Sequence, residues 1–216
     1  MLFRNRAEAG RFLARELLDA VPELRVEPVT VLAIPRGGVP VAAPIAASLR
    51  APLDVFIARK LGAPGREELA IGAVAADGTR VLDRELVHAL RVSDAYLEKI
   101  TAREIAEAQR RLALFRGTRP APIVHGRSVI LVDDGLATGA TARAALEVLR
   151  SERPLRLIFA APVASAEGAA AIAALGVITV FSAIPRHFQG VGEWYEEFDQ
   201  TSDEEVLALL SAVNDR

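Results

Sequence analysis

The chain contains no cysteine, which excludes disulfide scaffolds, thiolate nucleophiles and cysteine-ligated metal centres together. Histidine is scarce: His88, His125 and His187 stand far apart, with none of the short spacings that ligate a metal. Lysine is limited to Lys60 and Lys99, so arginine carries nearly all of the positive charge and Lys60 stands out. No apolar run approaches the roughly 18 residues that a membrane helix needs. The opening Met1-Leu-Phe-Arg-Asn-Arg-Ala-Glu-Ala-Gly10 places charge early and lacks the apolar core of a signal peptide. The expectation is a cytoplasmic protein with no membrane partner. Neither charge sign dominates, with 26 basic and 28 acidic residues, a net charge of −2 and a pI near 6.0. A general nucleic-acid surface is not expected, and the implied partner is a small anion bound locally.

What is present is 216 residues with 51% hydrophobic content, enough for one compact α/β domain. Phe3 to Ala20 has apolar residues at helical spacing (Phe12, Leu13, Leu17, Leu18). Strands are expected at Val29 to Ile34, Leu53 to Ala58, Leu155 to Pro162 and Val177 to Phe181, with helices at Val39 to Leu49 and Ser165 to Leu175. Strands alternating with helices predict a doubly wound, mostly parallel sheet. Lys60 to Arg66 is rich in breakers and reads as a mobile loop. Leu69 to Ala75 and Thr79 to Leu82 flank Asp77-Gly78, a hairpin signal. Arg84 to Arg116 reads as one or two exposed helices. Ala183 to Gln200 holds the only tryptophan, and Thr201 or Ser202 caps a last helix.

The most informative run is Val129-Ile-Leu-Val-Asp-Asp-Gly-Leu-Ala-Thr-Gly-Ala-Thr141. Its aliphatic start reads as a buried parallel strand that delivers Asp133 and Asp134 to the sheet's carboxyl end, where open α/β sheets bind ligands. Gly135 to Thr141 then opens a helix carrying Leu146 and Leu149. Unpaired N–H groups there favour an anion by about 0.3–1 kcal/mol in dipole energy alone. Thr138 and Thr141 offer hydroxyl donors, and Gly139 admits close backbone approach. The paired carboxylates can accept hydrogen bonds from neighbouring ribose hydroxyls and attract the hydration shell of a divalent cation. One loop would hold both ends of a ribose 5-phosphate. No Walker A pattern occurs.

This run resembles the phosphoribosyl pyrophosphate motif of type I phosphoribosyltransferases. The resemblance covers about 150 residues, from the loop at Arg36 to the helix at Thr141. It implies a single domain over 1–216: a core at about 28–182, a helical insertion at about 84–118 and a C-terminal hood at about 183–216. Ile34-Pro-Arg-Gly-Gly38 is similar to the family's pyrophosphate loop, which implies an anion at Arg36, Gly37 and Gly38 and a cis peptide at Pro35–Arg36. Arg59-Lys60 through Glu68 resembles the flexible loop of adenine-type members, implying pyrophosphate contacts from Arg59 and Lys60, with Glu67 or Glu68 near the nucleophile. Ala137 stands where oxopurine-type members carry an aspartate base, which weakens a hypoxanthine or guanine assignment. Asp133, Asp134, Ala137, Thr138, Gly139, Ala140 and Thr141 would bind the sugar phosphate. His187, Phe188, Trp194 and Tyr195 either stack on an acceptor base or close the core or a homodimer interface.

The implied activity is magnesium-dependent transfer of phosphoribose from phosphoribosyl pyrophosphate to a nitrogen nucleophile, a nucleobase or related heterocycle, with pyrophosphate leaving. No direct protein ligand to Mg2+ is expected, since substrate and water near Asp133 and Asp134 would hold it. The alternative is a non-catalytic regulator that senses phosphoribosyl pyrophosphate or nucleotides.

Overall fold

The computed structural model describes residues 2–215. Its centre is a parallel sheet of five strands, β1 (Val29–Ala33), β2 (Leu53–Val55), β6 (Ser128–Val132), β7 (Arg156–Val163) and β8 (Ile178–Ala183). They lie in the order β2-β1-β6-β7-β8. Between β2 and β6 in the chain come three antiparallel strands, β3 (Ala58–Ala63), β4 (Arg66–Ala75) and β5 (Arg80–Leu82), which form a second sheet in chain order.

Strand alternation explains the layering. Val31 and Ala33, Ile130 and Val132, and Ile158 and Ala160 point to one face. There they meet α1 (Arg6–Ala20), α2 (Gly38–Leu49) and α7 (Asp203–Asn214) through Leu13, Leu17, Ile45, Val206 and Leu210. Leu32, Val129, Leu131, Phe159 and Ala161 point to the other face and pack on α5 (Ala140–Ser151) and α6 (Ala166–Ala173). Both faces are covered, so the central strands are continuously apolar rather than alternating, as the run at 129–132 predicts. The Arg84 to Arg116 stretch forms two helices, α3 (Arg84–Ala89) and α4 (Asp94–Arg116). No helix among the described residues is long and apolar enough to cross a membrane.

Three expectations need correction. Lys60 to Arg66 is not a loop: it lies in a β3–β4 hairpin whose turn is only Pro64 and Gly65, with Gly65 at φ +68°. Leu61 and Ala63 are buried with Ile71, Val74, Leu97 and Ile100. That apolar contact overrides the breaker composition. The strand starting at Leu53 stops at Val55, and Ala58 already belongs to the second sheet. The Arg84 to Arg116 segment is not wholly exposed, because α4 buries Leu97, Ile100, Glu104, Ala108 and Phe115.

The tail after 183 is also not one unit. Tyr195, Trp194 and Phe198 cluster with Phe3 and Phe12 of the N-terminal segment. Helix α7, capped by Ser202 accepting from the Glu205 N–H at 3.1 Å, packs instead on the main core.

Candidate active site

Two loops meet at the carboxyl ends of the neighbouring strands β1 and β6. The Ile34 N–H donates to the Val132 carbonyl at 2.9 Å, which sets the loops side by side. The Pro35–Arg36 peptide is cis. A Cβ on Gly38 would lie 2.6 Å from the Val132 carbonyl oxygen, so this glycine permits the close approach of α2 to β6.

Helix capping separates these loops from the rest of the molecule. Side chains of Asn5, Asp83, Ser93, Ser165 and Ser202 accept hydrogen bonds at the N-termini of α1, α3, α4, α6 and α7. Helices α2 and α5 begin on Gly37 and Gly139 and have no such bond. In α2 the first two N–H groups, of Gly38 and Val39, donate back to the Ile34 and Arg36 carbonyls at 3.1 Å and Pro40 has none, so it is the first N–H groups of α5 that stay available to an exogenous acceptor. The start of α2 lies against the acid pair, with Gly37 beside the Asp134 carboxylate and Gly38 beside Asp133 Cα.

The segment after β6 is held from behind. Leu136 donates to the Val163 carbonyl at 2.9 Å and accepts from the Ser165 N–H at 2.8 Å. The Ser165 hydroxyl donates to the Ala137 carbonyl at 2.6 Å. Gly139 is buried at φ +75°, while Ala137, Thr138, Ala140 and Thr141 are exposed along the open end of α5. The loop is therefore anchored on the sheet side through its peptide groups.

Asp133 and Asp134 are both half-buried. The Asp133 Oδ1 accepts from the Asp134 N–H at 2.9 Å. Burial, and then the neighbouring Asp134 charge, push the Asp133 carboxyl well above its ordinary range. Asp134 Oδ2 accepts from Arg6 Nε at 2.8 Å, and its carbonyl accepts from the Tyr195 hydroxyl at 2.6 Å. Burial, reinforced by the Asp134 charge, raises the Tyr195 phenol above its usual value. Arg6 carried no local sequence signal for this role. The one hint is its place in the first turn of a helix, where a cation opposes the macrodipole.

The basic residues divide. Arg59 and Lys60 occupy consecutive positions of β3, so pleating sends them to opposite sides. Arg59 Nε donates to Glu104 Oε2 of α4 at 2.9 Å. Lys60 lines a cleft of about 570 Å³ with Thr138, Ala140 and Arg143. The Arg36 guanidinium lies 3.5 Å from Asp203 Oδ1 at the start of α7. Glu67 is exposed near the hairpin turn, and the side chain of Glu68 lies outside the described residues.

The aromatic candidates separate in the same way. Tyr195 stacks on Phe198 at 5.0 Å between ring centroids and is buried, so it closes the core. Trp194 is half-buried in the same cluster. Phe188 is half-buried, and His187 is exposed.

Comparisons with known proteins agree with this architecture. The phosphoribosyl transferase domain model matches residues 2–196. Two Mycobacterium tuberculosis proteins named as phosphoribosyl transferases are 43% identical over 213 residues, which is 99% of this chain and 47% of theirs. The chain thus spans about half the length of the curated relatives it matches. The crystal structure of TT1426 from Thermus thermophilus is 43% identical, covers 97% of this chain and 98% of that one, and superposes with a TM-score of 0.87. A Neisseria gonorrhoeae protein solved with bound ppGpp shares the fold at 13% identity, with 98% of each chain covered and a TM-score of 0.51. By its acid-pair loop, the open N-terminus of α5 and the domain match over 2–196, this chain belongs to the phosphoribosyl transferase domain family.

Proposed function

We propose that the site transfers phosphoribose from phosphoribosyl pyrophosphate to a nitrogen nucleophile, releasing pyrophosphate. The observation that carries this reading is the open N-terminus of α5 at Gly139, five residues beyond an acid pair whose Asp134 is in contact with the Gly37 loop. A substrate with phosphates at both ends and a diol between them fits that order of groups.

In this reading the exposed backbone and hydroxyls of Ala137 to Thr141 take the 5-phosphate. Asp133 and Asp134 accept the ribose hydroxyls, and the Arg36 to Gly38 loop takes the pyrophosphate. The bond between the anomeric carbon and the pyrophosphate oxygen breaks as the bond to the acceptor nitrogen forms. The carboxylates stabilise the positive charge that develops on the ribose. Lys60, which lines the same cleft as Thr138, adds positive potential on the phosphate side. Most of the rate enhancement is placement and electrostatics rather than covalent chemistry.

Magnesium suits this donor set. Asp133 and Asp134 offer hard carboxylate oxygens, while no cluster of three or more His, Cys, Asp or Glu side chains among the described residues is arranged to hold a metal. The residues therefore fit a hydrated ion carried in by the substrate's own oxygens, where it would neutralise the pyrophosphate as that group leaves.

The test is pyrophosphate release from phosphoribosyl pyrophosphate and magnesium against a panel of purines, pyrimidines, small amines and aromatic acids. Acceptor-dependent release supports the transferase and names its acceptor class. Tight ligand binding with no release from any acceptor would replace this reading with a sensor. Joint replacement Asp133→Asn and Asp134→Asn is expected to abolish turnover with the fold retained.

A further inference from the structure

We infer that Arg6 is a positioning residue for the sugar subsite, fixing the orientation of Asp134 so that the acid pair presents a defined pair of acceptors to a vicinal diol. This rests on the reading of Asp133 and Asp134 as the ribose-binding carboxylates.

The geometry is that of a preformed clamp. Arg6 is the first residue of α1 and lies 128 positions from its partner, yet its side chain is only 12% exposed. Its Nε donates to Asp134 Oδ2 at 2.8 Å, and one terminal nitrogen donates to the Asp199 carbonyl at 2.7 Å. The guanidinium carbon lies 3.9 Å from the centroid of the Phe198 ring. A planar cation on an aromatic face with a second acceptor at its edge has its orientation set before Asp134 is counted. Asp134 is then held at three points: its Oδ2 by Arg6, its carbonyl by Tyr195 and its N–H by Asp133 Oδ1.

Specificity follows from which oxygens remain. Arg6 occupies one oxygen of Asp134, and the Asp134 N–H occupies one oxygen of Asp133. Among the described residues, Asp134 Oδ1 and Asp133 Oδ2 have no donor. Two adjacent acceptors match two adjacent hydroxyls. Without Arg6, neighbouring like charges would repel and the Asp134 carboxylate would rotate freely, so the match would be lost. Arg6 acts through Asp134 and needs no contact with the sugar.

Calorimetric titration of the intact chain with ribose 5-phosphate and with inorganic phosphate tests this directly. Arg6→Met should weaken ribose 5-phosphate by about tenfold and leave inorganic phosphate unchanged, because the phosphate loop is anchored separately on β7 and α6. Arg6→Lys should recover part of the affinity, since an ammonium supplies charge but cannot bond Asp134 and Asp199 as a fork. Should Arg6→Met not fold, Phe198→Leu removes the aromatic platform and should shift ribose 5-phosphate in the same direction by a smaller factor. Equal weakening of both probes would make Arg6 merely structural and overturn the inference, as would unchanged ribose 5-phosphate affinity in Arg6→Met. If the unmodified chain binds phosphate but gains nothing from the ribose, the reading of the acid pair itself fails, and the role of Arg6 falls with it.

Discussion

A Cβ placed on Gly37 would lie 2.1 Å from Asp134 Oδ2, so the loops after β1 and β6 touch through a contact that only glycine permits. The backbone angle is not the reason, because Gly37 has an ordinary φ of −59°. The limit is the carboxylate, which cannot swing aside while Arg6 holds the same oxygen at 2.8 Å. Gly37→Ala should therefore displace Asp134 or the α2 N-terminus and cost roughly 1–3 kcal/mol in stability, typical of overpacking. Phosphoribosyl pyrophosphate affinity should fall with it. Thermal unfolding together with calorimetry would check both, and a variant indistinguishable from the parent would mean that the loops are not in contact.

Asp133 gives a pH-dependent test. Burial raises its folded pKa above the ordinary 3.8, and Asp134 adds to the shift. A carboxyl raised in this way supports folding while protonated. That support is complete below the unfolded pKa and is lost as pH rises through the folded value. Asp133→Asn keeps an oxygen for the Asp134 N–H but removes the poorly solvated charge. Its unfolding midpoint should exceed that of the parent at about pH 8 and converge with it near pH 3. Each kcal/mol recovered should appear as about 2–4 °C at this chain length. Sugar-phosphate affinity should meanwhile drop, since function and stability oppose each other at this position. A midpoint lower than the parent's at the alkaline end would contradict the assignment.

Glu104 tests the coupling between α4 and the hairpin. Its side chain, 7% exposed, accepts from Arg59 through one oxygen and from Arg103 through the other. Glu104→Gln leaves one acceptor and turns an amide donor toward an arginine. The expected loss is about 1–3 kcal/mol, near the lower end because Arg103 is largely solvated. Urea unfolding would measure it, and a change below about 0.5 kcal/mol would show that the pairing contributes little.

Gly139→Ala places a side chain at φ +75°, a conformation costing an L-residue about 1–2 kcal/mol. Space is not the main obstacle, since the new Cβ would sit 3.4 Å from Ile172. Asparagine tolerates this region better, so Gly139→Asn should be the milder change in chemical denaturation. Ribose 5-phosphate binding should weaken by roughly tenfold in the alanine variant, about 1.4 kcal/mol. Equal stability of the two variants would mean that backbone strain is not what selects glycine here.

Much of the acid-pair loop was legible in the sequence because its determinants are local. Val129 to Val132 is aliphatic without interruption, and Gly139 supplies the left-handed residue that starts α5. The hairpin at Asp77-Gly78 follows likewise from turn chemistry, with the Asp77 carboxylate accepting from the Thr79 N–H at 2.8 Å and Gly78 at φ +90°. The cis peptide at Pro35–Arg36 came through the family resemblance. Composition misled at Lys60 to Arg66. Gly62, Pro64 and Gly65 suggested a loop, but burial of Leu61 and Ala63 against α4 made a strand.

By itself, the sequence determined the alternation of strands and helices, the buried run that ends in Asp133 and Asp134, and the glycine-opened helix beyond it. Each depends on sterics and periodicity among residues a few positions apart. Only the tertiary structure decided that Arg6 meets Asp134, that Val191 packs where a Gly135 side chain would otherwise stand, and that Arg59 and Lys60 face opposite ways. Those outcomes follow from which distant surfaces bury against one another, and no local pattern encodes a pairing across 128 residues.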